Sequence, residues 1–232
     1  MSTLDLRSDL LNYLIQSHFK AGDRIPTISQ LAEAEHLGIS TSKIREQLEV
    51  ARALGFIDVK SKTGMRFNEY EFGSAIRLSI FFALAQEPEL YFEYFTDLRV
   101  QLETGCWLAM CESLSAPDFV ALHTIIQSAR QKLRDERWVQ IPHREHGQFH
   151  RMLFGKINNP FVNGILNVYW EAYEAIEPRR YARFAYHQKV WDYHEQIITE
   201  IEDGNFVKAQ ATYTEHAQLL RINPTDLPDP LG

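Results

Sequence analysis

The sequence predicts a mainly α protein in two parts: an N-terminal winged helix-turn-helix and a C-terminal antiparallel all-helical bundle of six or seven helices. Three observations carry this. Two short helical patterns flank a glycine turn at Gly38, and an alternating stretch, FIDVKSKTGMRF, follows them. From about Phe72, long apolar periodicities of helical type run on, cut by Pro117, Pro142, Asn159-Pro160 and Asp203-Gly204-Asn205. The junction between the parts is short, so the expected domains are residues 1–70 and 71–232.

Each element of the first part has a local cause. LRSDLLNYLIQSH places Leu6, Leu10, Leu11, Leu14 and Ile15 at helical spacing, and AGDRIPT then breaks the helix with Gly22 and Pro26. Thr27 with Gln30 is a capping-box pattern, which predicts a second helix from about Ile28 to Leu37. Gly38 and Ser40 mark a tight turn before a third helix, STSKIREQLEVARAL, ended by Gly55. FIDVKSKTGMRF then reads as two short strands around a KTG turn, with Lys60, Lys62 and Arg66 on or near it.

Composition excludes several classes. Of 232 residues, 45% are hydrophobic and 24% charged, which fits a soluble globular chain and not a disordered one. The longest apolar run, SAIRLSIFFALAQ, carries Arg77 and is shorter than the ~18 residues a bilayer span needs. MSTLDLRSDL contains acids and no apolar core, unlike a secretory signal, so a cytoplasmic protein without a membrane partner is expected. Cys106 and Cys111 read as reduced core thiols, because i, i+5 spacing on a helix does not favour a bridge.

The net charge of -7 is unevenly placed. Met1 to Tyr70 holds nine acids and nine bases, so the whole deficit lies beyond; within Thr41 to Arg66, six bases face three acids. A locally basic surface is joined to an acidic body. Lys43 and Arg45 occupy the first turns of the third helix, where the helix dipole disfavours cations unless an anion is met. A recognition helix meets base edges and phosphates there, and the wing lysines would add phosphate contacts that position without reading sequence. A small helical subdomain with solvated charges is compatible with the same pattern.

GDRIPTISQLAEAEHLGISTSKIREQLEVARALGFIDVKSKTGMRF resembles the winged helix-turn-helix of GntR-family bacterial transcription regulators. The resemblance rests on Gly22-Asp23, Leu31-Ala32-Glu33, Gly38-Ile39-Ser40, Ile44-Arg45-Glu46, Leu48, Gly55 and Gly64. It implies DNA-facing residues Thr41, Lys43, Arg45, Arg52, Lys62, Gly64 and Arg66, and a homodimer on a palindromic operator. Thr41 departs from the arginine usual after the serine that opens the recognition helix, so the contact expected there is either lost or supplied by Lys43, and a preferred DNA sequence different from that of typical members is expected.

In the body, TDLRVQLETGCWLAMCE predicts a helix with Leu98, Leu102, Cys106 and Ala109 on its buried stripe and Arg99 and Glu103 beside it. Five further segments continue in the same style. EHGQFHRML sets His146 and His150 one turn apart on one helix face, the way a helix offers two imidazoles to a metal ion. His194 and His216 flank Gly204, ten residues before it and twelve after. At ~1.5 Å per residue they lie roughly 15 and 18 Å from the turn, at similar heights on neighbouring antiparallel helices. Four imidazoles from three helices are then placed to converge, with His143 as a spare on the same face. A chance pair among nine histidines is the alternative, and Gly147 weakens the helix between them by about 1 kcal/mol.

HGQFHRMLFGKINNP and YHEQIITEIEDGNFVKAQATYTEH are similar to the ligand-sensing FCD domain of the FadR-like branch of the same family, whose members often bind a divalent metal through an acid and three histidines. The resemblance puts the acid's position on His146 and the histidines on His150, His194 and His216. Four neutral imidazoles favour zinc or nickel over manganese; a site without His146 as ligand stays open. Arg99 and Glu103 match the family's Arg-x-x-x-Glu. A buried Arg beside a metal suits a small organic acid effector, whereas a surface salt bridge of Arg99 with Glu103 or Glu93 is the alternative. Tyr and Trp in VYWEAY, residues 168–173, read as core.

The expected function is a DNA-binding regulator whose acidic domain binds a divalent metal and a small carboxylate. Two alternatives remain: a metal-free regulator of an apolar or acyl ligand, and a His-site metalloenzyme. No carboxylate lies inside the histidine pair as a general base, and an enzyme leaves the winged helix unexplained.

Overall fold

A computed structural model of the chain describes residues 4–62, 64–134, 140–180 and 184–219. Its contacts divide the chain within a helix into two compact units, Met1–Ile80 and Phe81–Gly232.

The first unit contains α1 (Asp9–Gln16), α2 (Ile28–Leu31), α3 (Thr41–Ala53), β1 (Ile57–Lys60) and β2 (Gly64–Phe67). Each helix starts on a hydroxyl: Ser8 accepts from the Leu11 amide, Thr27 forms the capping box with Gln30, and Ser40 accepts from the Lys43 amide. The strands pair antiparallel, with Ile57 opposite Phe67 and Lys60 opposite Gly64. Gly22–Ile25 adds a third edge to this wing, through Gly22 N–H to the Phe67 carbonyl (2.7 Å) and Ile25 N–H to the Met65 carbonyl (3.0 Å). Leu10, Leu14, Leu31, Ile44, Leu48 and Met65 interlock beneath it as one apolar core. Thr63 of the expected KTG turn lies outside the described residues.

α2 is shorter than the Ile28–Leu37 expected. After Leu31 the chain tightens, with Glu33 N–H bonded to the Gln30 carbonyl and His36 N–H to the Glu33 carbonyl, each at 3.0 Å and each spanning three residues. Gly38, at φ +63, then turns the chain in the left-handed region, and its amide bonds to the Glu33 carbonyl.

α4 (Phe72–Gln86) runs across the division, and the second unit continues with α5 (Pro88–Gly105), α6 (Trp107–Ser113), α7 (Ala116–Lys132), α8 (His143–Phe154), α9 (Pro160–Arg180), α10 (Phe184–Glu202) and α11 (Phe206–Leu219). Eight helices from α4 onward, among the described residues, replace the six or seven expected. The expected helix through Cys106 is two helices. Its backbone turns at Cys106 (φ -94, ψ 5), and beyond the break the Trp107 indole donates to the Phe206 carbonyl at 2.9 Å. The expected stripe on α5 is also displaced: Leu98 is 40% exposed and Ala109 is exposed, while Phe92, Phe95, Thr96, Arg99 and Glu103 are buried.

α10 and α11 form a hairpin through Gly204 (φ +75) and pack tightly together; α8 lies against α7 and α9, and α5 against α9. The aromatic and aliphatic core of Phe149, Leu153, Trp191, Ile197, Ile201 and Tyr213 is shared among α8, α10 and α11. That sharing places the histidine-bearing turns of three helices against one another.

Candidate functional site

The four histidines meet. His146 and His150 project one turn apart from α8, His194 comes from α10 and His216 from α11, and all four are buried. His194 Nε2 lies 3.3 Å from His150 Nε2 and 3.1 Å from His216 Nε2. One ring nitrogen from each of the four lies within 4.8 Å of all the others. His143 is half-buried and outside this group, its ring edge-on to His187 at 5.6 Å.

Neighbours fix the rings. His146 Nδ1 is 2.7 Å from the Tyr173 hydroxyl, leaving His146 Nε2 buried without a hydrogen-bond partner. His150 stacks on Trp170 at 4.4 Å and turns Nδ1 toward Glu103 Oε2 at 3.4 Å. Phe149 stacks on His194 at 4.2 Å. Burial, then the adjacent imidazoles, hold the pKa values of His146, His194 and His216 well below the ordinary 6.5; burial also lowers that of His150, against Glu103. Neutral imidazoles keep a lone pair free, so the donor set fits a divalent metal of the zinc or nickel type. The buried, unpartnered His146 Nε2 is the observation that a metal ligand would explain.

Gly147 lies on α8 beside the flexible ends of an ion pair. A Cβ there would lie 2.8 Å from Glu174 Oε1 and 3.0 Å from Arg151 Nη2, the two groups that form a 2.7 Å ion pair.

Beside the histidines, α5 carries Arg99 and Glu103, both with fully buried side chains, 3.4 Å apart. This is an internal ion pair, so the surface alternative is excluded by burial. Glu103 also accepts from the Tyr213 hydroxyl. Arg99 lies over the Tyr169 and Trp170 rings at 5.0 and 5.2 Å, yet none of its three nitrogens makes a hydrogen bond. Burial opposes its charge, but Tyr213 and Glu103 hold its pKa above the ordinary value. Burial likewise opposes the Glu103 carboxylate, and Arg99 with His150 overcome it and lower its pKa. The buried cluster thus holds a guanidinium whose three nitrogens make no hydrogen bond.

In the first unit, Thr41, Lys43, Arg45, Arg52, Lys62 and Arg66 are all exposed, and Gly64 (φ +77) is half-buried. Their engagements differ. Lys43 Nζ binds Asp9 at 2.8 Å, Arg52 binds Glu49 at 2.8 Å, and Arg66 donates to the Gly22 carbonyl at 2.7 Å. Arg45 and Lys62 have no ion-pair partner among the described residues.

Tyr173, Trp170 and Tyr213 shape this site; from sequence the first two read as core, and Tyr213 is not singled out. Spacing was the available signal: Trp170 and Tyr173 share a face of α9, and Tyr213 lies three residues before His216.

The profile of the FCD domain matches residues 95–219, more than half of the chain. The Bacillus subtilis (strain 168) protein named "Uncharacterized HTH-type transcriptional regulator YcbG" is 24% identical over 216 residues, covering 91% of this chain and 85% of that one. "HTH-type transcriptional regulator LutR" of the same organism is 23% identical over 202 residues, 85% of this chain and 89% of that one. The structure of Streptococcus agalactiae GntR shares the fold, with a TM-score of 0.66 at 19% identity over 91% of this chain and 95% of that one. Fold and matches define a DNA-binding transcription regulator and not an enzyme. The chain belongs to the FCD-domain family, as a regulator of the GntR type. No helix among the described residues is long and apolar enough to cross a membrane.

Proposed function

We propose that the protein is an effector-responsive regulator in which residues 1–70 bind DNA and residues 71–232 sense a small carboxylate beside a divalent metal. His146, His150, His194 and His216 hold the metal, zinc or nickel, and Arg99 clamps the carboxylate. When bound, the metal supplies a Lewis-acid seat for one carboxylate oxygen. Arg99 offers a planar pair of N–H donors to the acid, and Trp170, stacked on His150, keeps water from the ring face. Thr41, Lys43, Arg45, Arg52, Lys62, Gly64 and Arg66 face the operator. The functional unit is a homodimer on palindromic DNA. The effector acts by preferring one arrangement of the dimer over another.

The convergence of four buried imidazole nitrogens within 4.8 Å carries this reading. Elemental analysis tests it: the purified protein holds about one equivalent of zinc or nickel, and a His150→Ala/His194→Ala variant holds none. Equal metal in both proteins, or none in either after reconstitution, overturns the metal and leaves the DNA-binding part intact.

A further inference from the structure

The charges around the histidine centre constrain its ligand further, on the reading that a divalent metal sits there. Four imidazoles that each lend a lone pair contribute no charge. Arg99 and Glu103 cancel one another across 3.4 Å. The other buried acids among the described residues are committed elsewhere: Glu145 to Lys132 at 2.6 Å, and Glu200 to Lys208 at 3.1 Å and to the Thr212 hydroxyl. Tyr213 donates its hydroxyl proton to Glu103 and so adds no charge. A divalent cation therefore keeps both its positive charges, inside a set of side chains no more than 3% exposed. Buried charge without compensation costs several kcal/mol or more, so the counter-charge has to arrive with the ligand.

The second pole is Arg99, whose three nitrogens have no hydrogen-bond partner. Glu103 Oε2 is 3.4 Å from the guanidinium and 3.4 Å from His150 Nδ1, so guanidinium and histidine centre stand two short contacts apart. We propose that the effector is a small dianion of the short-chain dicarboxylate type, one carboxylate seated at the histidine-held metal and the other on Arg99. A single carboxylate shared between the metal and Arg99 leaves the site positively charged, and a second carboxylate held by Arg99 removes that charge. The proposal names the class of acid for the site proposed above.

The test compares malonate with malonamate, its monoamide of nearly equal shape and one charge fewer, by calorimetry on the full-length zinc-loaded protein. Malonate binds at least tenfold tighter, and the His146→Asp variant, which adds one negative charge beside the metal, reduces that ratio severalfold. Equal affinities at full zinc occupancy overturn the dianion and leave the metal reading untouched. A ratio that persists in His146→Asp assigns the advantage to chelation and overturns the charge argument. Failure to take up either zinc or nickel overturns both. Should His146→Asp not fold, Arg99→Met answers the same question: the malonate advantage is lost if Arg99 holds the second carboxylate, and its persistence overturns the proposal.

Discussion

His194 Nε2 and His216 Nε2 stand 3.1 Å apart across the α10–α11 hairpin, and the Nδ1 atoms of both rings are buried without partners. Two neutral imidazoles so placed share at most one proton between their facing nitrogens, and a metal would use both lone pairs. A metal bound only by the folded state stabilises it by mass action, by about 4 kcal/mol at a thousandfold excess over Kd. Chelation is therefore expected to lower the melting temperature of the second unit, read by calorimetry on metal-loaded protein. An unchanged melting curve contradicts the site.

The metal-free protein is expected to lose stability in acid. His146, His194 and His216 have folded pKa values well below 6.5, burial being the largest cause. Below pH 6.5 the unfolded chain takes up protons that the folded chain refuses, so stability is full above that pH and declines as pH falls toward the folded values. The slope reaches about 1.4 kcal/mol per pH unit for each such group. Urea midpoints between pH 7.5 and 5 check this; a flat profile contradicts neutral burial.

Tyr173→Phe is expected to weaken metal binding roughly tenfold with little change in fold. When His146 Nε2 is a ligand, Nδ1 keeps its proton and donates it to the Tyr173 oxygen 2.7 Å away. Removing that oxygen leaves a buried N–H unsatisfied and frees the ring. Competition against a zinc indicator gives the affinity, and an unaltered value means that His146 does not ligate.

Arg45→Ala is expected to abolish enrichment of specific duplexes from a random DNA pool while the melting curve stays put. Arg45 is exposed on α3 and engages no acid among the described residues, so its loss removes no internal contact. Lys43→Ala is expected to be milder, since Lys43 already binds Asp9 at 2.8 Å. Normal selection by Arg45→Ala would exclude α3 as the reading helix.

Gly55→Ala is expected to destabilise the first unit by about 1–3 kcal/mol. The residue lies at φ +80, and an added Cβ would stand 2.5 Å from the Ser74 Cβ, which is anchored on its own backbone. Denaturant titration followed at the first unit measures the loss.

The sequence alone determined what short-range chemistry controls. Ser8, Thr27 and Ser40 each start a helix by bonding an amide three residues on, and Gly38, Gly55 and Gly204 all adopt positive φ. The histidine set was legible for the same reason: spacing four residues apart on α8, and near-equal distances from Gly204 on a hairpin, are geometric consequences of regular helices. Tertiary structure decided which side of each mixed helix is buried. On α5, Phe92, Phe95, Leu98 and Leu102 spread over an arc of about 120°, so periodicity pointed to the Leu98 side while packing against α9 buried the adjoining side with Arg99 and Glu103. The partners of the site are equally remote in sequence: Glu103 meets Tyr213 across 110 residues, and Thr96 meets Tyr169 across 73. Such contacts follow from the packing of whole helices, which no local spacing records.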